Sequence, residues 1–215
     1  MIKKLWVPVY LELISQRHLI TRPFVFVLMA FVYAFLIQKM PSSVSHAPKV
    51  LIMLAILTLL TEIERLFADD CESGRLELWL VERHSLEHIF VRKIIVFWIF
   101  GVIPLLAALA VLFTTLNLPF PLAFAASFLL AGITLTTIGS LLSALLLGIT
   151  RPVILMLLLM LPLMLPEILL TLGAYEQALL GDSVTTLLCL QLGISCISVA
   201  VCLLAVPAIV RWSVH

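Results

Sequence analysis

The chain has 215 residues, of which 63% are hydrophobic and 12% charged, with a net charge of +1 and a mean hydropathy of +1.24. A soluble domain carries about 25% charged residues, so this composition excludes a water-soluble enzyme. No basic excess points to nucleic acid. What is left is an all-α, polytopic membrane protein whose single domain, residues 1–215, is a helix bundle in lipid.

The first segment mimics a signal peptide, because Lys3 and Lys4 precede apolar residues. Glu12, Gln16, Arg17 and His18 interrupt the apolar run that a signal needs. Trp6 to Leu19 instead predicts an amphipathic interfacial helix, with Trp6, Val7, Tyr10, Leu11 and Ile14 on its apolar side.

Crossing the hydrocarbon takes about 20 helical residues, and six transmembrane helices are predicted, at about 19–37, 50–62, 94–116, 118–147, 152–172 and 184–210. Pro119 and Pro121 separate the third from the fourth, since two prolines so close break a helix. Gly148 to Pro152 separates the fourth from the fifth, and Gly173 to Ser183 the fifth from the sixth. Within that last stretch, Tyr175 to Leu180 predicts a short helix lying on the outer surface. With six spans and a cytoplasmic N-terminus, all 13 Lys and Arg except Lys39 and Lys49 fall on the inside, as the positive-inside rule requires. Both termini are then cytoplasmic.

The spans hold little that is polar, which favours a mechanical role over passage of a large polar substrate. Glu167 is the one acid clearly inside a span, following Pro162 and Pro166 in the fifth. A charge at mid-bilayer costs about 2.5–3.5 kcal/mol on insertion scales, so an acid there faces protein or water. Two settings fit it: a subunit interface or lateral cavity, or the outer headgroups. The two prolines predict a kink or break. Gly132, Gly139, Ser140, Ser143 and Ala144 give the fourth helix small residues for close packing, within the bundle or in a homodimer.

Catalytic and metal chemistry find little support. His18, His46, His84, His88 and His215 all lie at ends or in loops. His84 and His88 share a helical face but lack a third ligand. Of the four cysteines, Cys189, Cys196 and Cys202 lie in one apolar segment, where they read as small packing residues, and Cys71 lies in a loop. No phosphate-cradling G-x-x-x-x-G-K-[ST] is present, so any ATP hydrolysis belongs to a partner chain.

The informative segment is the polar one, about 63–93, on the cytoplasmic side. It begins Glu64-Arg65-Leu66-Phe67-Ala68-Asp69-Asp70-Cys71-Glu72-Ser73-Gly74-Arg75-Leu76-Glu77. Its final part, Ser85 to Lys93, predicts an amphipathic helix with Leu86, Ile89 and Phe90 as apolar anchors and Ser85 as a cap. Such an element could dock on an ATPase, with Asp69 and Asp70 answering basic residues there. A solvated charged loop is the plainer reading of the same residues.

The stretch from Glu64 to Glu77 resembles the loop after the second helix of the CcmB family, the haem exporter protein B permeases of cytochrome c maturation. There the pattern runs E-R-L-F, an acidic pair, then an acid before G-x-L-E; here Glu72 and Ser73 depart from the usual order. Leu161-Pro162-Leu163-Met164-Leu165-Pro166 is similar to the family's L-P-L-x-x-P. A proline expected before the coupling helix is absent from Glu82-Arg83-His84-Ser85.

The resemblance implies an ABC-2 type permease-like bundle in the bacterial inner membrane, working with a CcmA-like ATPase. CcmC-like and CcmD-like haem-handling subunits and, indirectly, a CcmE-like haem chaperone complete the implied complex. It implies no enzyme activity and no cofactor on this chain: ATP sits on the ATPase, and haem is handled by the complex. Glu64, Arg65, Asp69, Asp70, Gly74, Glu77, Leu86 and Phe90 are the implied coupling groups. The alternatives are an ABC-2 exporter of a lipid, glycan or drug, and a non-transporting structural subunit of a membrane complex.

Overall fold

A computed structural model of the chain describes residues 18–38, 46–63, 86–146 and 152–213. The described residues are helical with short connections and contain no strand. Helix α1 is His18–Gln38, α2 is Ala47–Ile63, and α3 is Leu86–Phe97. A π-helical turn, Trp98–Val102, joins α3 to α4, Ile103–Thr115. The last three helices are α5, Leu122–Leu145, α6, Pro152–Leu180, and α7, Thr185–Ser213. The N-terminal amphipathic segment expected at Trp6 to Leu19 lies almost wholly outside the described residues.

Among the described residues, four helical stretches are long and apolar enough to cross a membrane: Val91–Thr115, Leu122–Leu145, Leu158–Leu180 and Thr185–Val206. Two shorter apolar stretches, Phe24–Phe35 and Ala47–Thr61, lie in α1 and α2. At 1.5 Å per residue, α5 measures about 36 Å, enough for a hydrocarbon layer of about 30 Å.

Helix α5 is the hub. It packs most extensively on α7 and α6 and also meets α2, α3, the π turn and α4. Its small residues explain why so many neighbours can approach. A Cβ on Gly132 would stand 2.6 Å from Val102 Cγ1, and one on Gly139 would collide with Ile63 Cγ2. The small stripe expected in this helix therefore serves contacts inside the bundle. Around this centre, α1 turns Phe26, Ala30 and Ala34 inward at four-residue spacing and leaves Phe24, Leu28, Phe31 and Phe35 exposed. In a bilayer such an apolar outer face contacts acyl chains and carries no solubility penalty.

Two connections at one end of the bundle have defined geometry. Helix α4 stops at Asn117, whose φ of 53° is left-handed. The Leu118 amide donates to Phe113 O at 2.8 Å and the Asn117 amide to Thr114 O at 3.2 Å, the Schellman pairing. Helix α6 stops the same way, with Gly181 at φ 77° and the Asp182 amide donating to Gln177 O at 3.0 Å. Beside the first connection, Phe113, Phe120, Phe124 and Tyr175 form an aromatic cluster with ring centroids 5.4–5.9 Å apart.

Two predicted boundaries differ from the structure. The break expected from Gly173 is absent: α6 continues to Leu180, so Tyr175 to Leu180 is its last part and not a separate surface helix. A lone glycine costs a helix only about 1 kcal/mol, which burial of Ala174 and Tyr175 offsets. Likewise, the segment from Leu86 to Lys93 is not a free-standing amphipathic helix. It forms the first turns of a helical rod that runs on through the π turn into α4.

Candidate functional site

Most of the residues singled out in the polar segment 63–93, namely Glu64, Arg65, Asp69, Asp70, Gly74 and Glu77, lie outside the described residues. Leu86 and Phe90 fall in the first turns of α3. Pro162, Pro166 and Glu167 fall in α6, and around Glu167 the described chain assembles a polar site.

Helix α6 remains one helix through both prolines. Each proline lacks an amide proton, so the carbonyls of Leu158 and Pro162 lose their partners four residues on. Both proline rings are exposed on the outer face. One residue after Pro166, Glu167 points the other way and is 1% exposed. It lies inside the chain's own bundle, and so occupies neither setting expected for it. The reason is a partner on α7: Gln191, fully buried, donates from Nε2 to Glu167 Oε2 at 2.8 Å. The same nitrogen reaches Thr171 Oγ1 at 3.4 Å. On its other side, Gln191 Oε1 accepts from Ser127 of α5 at 2.6 Å. One glutamine amide thus joins three helices. The second carboxyl oxygen, Glu167 Oε1, is buried with no hydrogen-bond partner.

The polar contacts continue along α5 and α7. The Thr134 and Ser195 hydroxyls lie 2.9 Å apart, Thr137 donates to Ser198 at 2.8 Å, and Ser140 Oγ lies 3.0 Å from Cys202 Sγ. Residue numbers rise together on both helices, so α5 and α7 run parallel, with α6 antiparallel beside them. The Ser and Thr hydroxyls also bond carbonyls within their own helices, as Ser195 does to Gln191 O at 2.8 Å. Isolated hydroxyls are thereby satisfied before any helix pairing. Each interhelical bond then contributes about 0.6 kcal/mol on average in a membrane protein, so this seam aligns the helices more than it binds them.

A sequence reading finds Glu167 because an acid is conspicuous in an apolar run. It misses Gln191, the residue that organises the site, although a glutamine in the sixth apolar segment is visible by the same criterion. Ser127, Thr134, Thr171 and Ser195 carry no such signal, since hydroxyls at helix positions are common. What unites them is the parallel pairing of α5 and α7, which no local pattern reveals.

A second polar feature marks one end of the bundle. Lys49, at the start of α2, forms an exposed ion pair with Glu176, near the end of α6. The pair places those two helix ends on the same side. Gly139 near Ile63 and Met160 places the end of α2, the end of α5 and the start of α6 together on the other. Among the described residues no cluster of three or more His, Cys, Asp or Glu could hold a metal ion. Cys189 and Cys196 are exposed on α7 and Cys202 is buried.

No curated protein matches the chain. The family model described as CcmB protein matches residues 9–213, nearly the whole length and every helix described above. The members of that family are membrane permease components of the haem-exporting ABC transporter of cytochrome c maturation, and are not themselves enzymes. With apolar helices long enough to cross a bilayer and a match that runs through all of them, the chain belongs to the CcmB family.

Proposed function

We propose that the chain couples ATP hydrolysis in a separate CcmA-like ATPase to export of haem, or to release of a haem-loaded CcmE-like chaperone, from the bacterial inner membrane. The observation that carries this reading is the family match over residues 9–213. CcmC-like and CcmD-like subunits handle the haem, so that this chain holds no cofactor of its own. All six apolar helices, α1 and α2 included, cross the membrane with both termini in the cytoplasm. The alternating direction of the helices and the clustering of Lys and Arg on one side support that arrangement.

The cytoplasmic segment is the contact for the ATPase. Glu64, Arg65, Asp69, Asp70, Gly74 and Glu77 form its recognition surface, and Leu86 and Phe90, in the first turns of α3, add its apolar coupling groups. Because α3 continues into a membrane helix, force on this segment has a rigid path into the bilayer. The Glu167–Gln191 contact is a latch that fixes α6 against α7 and α5 in one of the working states. Pro162 and Pro166 loosen the same helix beside it.

The test is the Asp69→Ala/Asp70→Ala double variant in the assembled complex, scored by ATPase activity and by transfer of haem to c-type apocytochromes. The double variant is expected to insert and accumulate normally while losing ATP-coupled activity. Full ATP-dependent activity in that variant contradicts the coupling role.

A further inference from the structure

The rod that begins at Leu86 is not a uniform helix. At Trp98–Val102 it opens into a π turn, where the Ile103 amide bonds Trp98 O, five residues back. The cause is two residues on. Pro104 stands at the start of α4; in an ordinary helix its ring would collide with the carbonyl of Phe100 and it offers that carbonyl no proton. Widening the preceding turn by one residue turns that carbonyl aside. Single π turns inside α-helices are enriched at functional positions, and prolines and π turns are the usual sites of helix bends. This one combines both and lies close to the middle of the span Val91–Thr115.

The two sides of the turn are held differently. Beyond it, α4 ends in the Schellman connection, and Phe113 is locked into the aromatic cluster with α5 and α6. Before it, α3 leads back to the cytoplasmic segment with no comparable cap or aromatic lock among the described residues; its inner face, Lys93, Val96 and Phe97, is buried while Val91 and Ile95 stay exposed. The turn itself rests on α5 at two points: Trp98 Nε1 donates to Leu129 O at 3.4 Å, and Val102 packs into the space left by Gly132. Those points lie on the helix that carries the polar seam.

We propose that Trp98–Pro104 is a hinge within the membrane. It lets α3 swing against a fixed α4, with Leu129 and Gly132 of α5 as the bearing on which the turn rests. The inference rests on the permease reading only for the source of the motion, an ATPase acting on the cytoplasmic segment. From Val102 to Val91 the lever is about 16 Å long at 1.5 Å per residue. A bend of about 20°, the scale of a sharp kink, therefore displaces Val91 by about 6 Å.

The experiment is double electron–electron resonance on the full chain with its ATPase in lipid nanodiscs, with and without a non-hydrolysable ATP analogue. Cys71, Cys189, Cys196 and Cys202 are replaced by alanine, and spin labels are placed at exposed positions. One pair is Val91→Cys with Leu145→Cys; the control pair is Val111→Cys with Leu145→Cys. The first distance is expected to shift by up to about 6 Å on nucleotide binding and the control distance to stay fixed. In a variant combining Pro104→Ala with deletion of Ile99, which restores an unbroken α-helix, the first shift is expected to vanish. No shift in the Val91–Leu145 pair of the otherwise unaltered chain overturns the hinge, whether or not the straightened variant folds. An equal shift in both pairs overturns it too, because the rod then moves as one body. A shift confined to the first pair, in a chain whose loss spares c-type cytochromes, upholds the hinge and contradicts the proposed function.

Discussion

At Glu167 the carboxyl shares one oxygen with Gln191 Nε2 and keeps the other unpartnered, at 1% exposure. Removing a partner from a buried polar group leaves the remaining one unsatisfied, at about 1–3 kcal/mol. Glu167→Ala is therefore expected to lower the thermal stability of the detergent-solubilised protein, while Glu167→Gln, which retains an acceptor for Gln191, keeps most of it. Equal losses in the two variants would show that the contact to Gln191 does not matter. Gly139 gives a sterically simpler case, since its missing Cβ is what lets Ile63 approach. Overpacking a tight contact costs about 1–3 kcal/mol, so Gly139→Leu is expected to reduce the folded yield in membranes, and wild-type yield would contradict the close approach. Of these residues only the acid announces itself in an apolar sequence. Gln191 is equally visible once a partner is sought for that acid, whereas Ile63 and Gly139 are joined only by the packing of α2 on α5.

Helix pairing depends on groups that also satisfy themselves. Thr134 bonds Leu130 O and Ser195 bonds Gln191 O, so neither needs the other to be satisfied. Replacing both partners of a hydrogen bond with apolar groups of similar shape is nearly neutral. Accordingly Thr134→Val with Ser195→Ala is expected to leave thermal stability within about 1 kcal/mol of wild type. Gln191→Leu, which strands Ser127 and Glu167 together, is expected to cost clearly more. The reverse order would mean that the α5–α7 hydroxyls, and not the glutamine, hold the three helices in place.

Helix boundaries were legible where prolines or paired turn residues set them, as at Asn117 to Pro121. They were not legible where tertiary burial carries a helix past a weak breaker such as Gly173, or where residues 86–93 run without a break into the span expected at 94–116. The second is the more consequential, because it converts an expected surface element into the end of a long apolar helix.

For the molecule as a whole, α6 runs antiparallel to α5 and α7, and Lys49 with Glu176 marks the end of the bundle that the proposed topology places outside. A Lys49→Cys variant in a chain otherwise free of cysteine is expected to react with a membrane-impermeant maleimide added to intact spheroplasts, and Arg151→Cys only after lysis. The opposite pattern would invert the topology. Composition and charge made the membrane class legible, and the stretch from Glu64 to Glu77 made the family legible, since neither needs tertiary structure. The polar cluster around Gln191 was not, because it arises where three helices meet.

The central claim is that this CcmB family member serves cytochrome c maturation, and it is tested most directly by deleting the gene in its host and staining membrane and periplasmic proteins for covalently bound haem. The account predicts loss of haem-bearing c-type cytochromes with b-type cytochromes retained, restored by the wild-type chain but not by the Asp69→Ala/Asp70→Ala variant. Unchanged c-type cytochromes in a deletion strain with no second copy of the gene would contradict it.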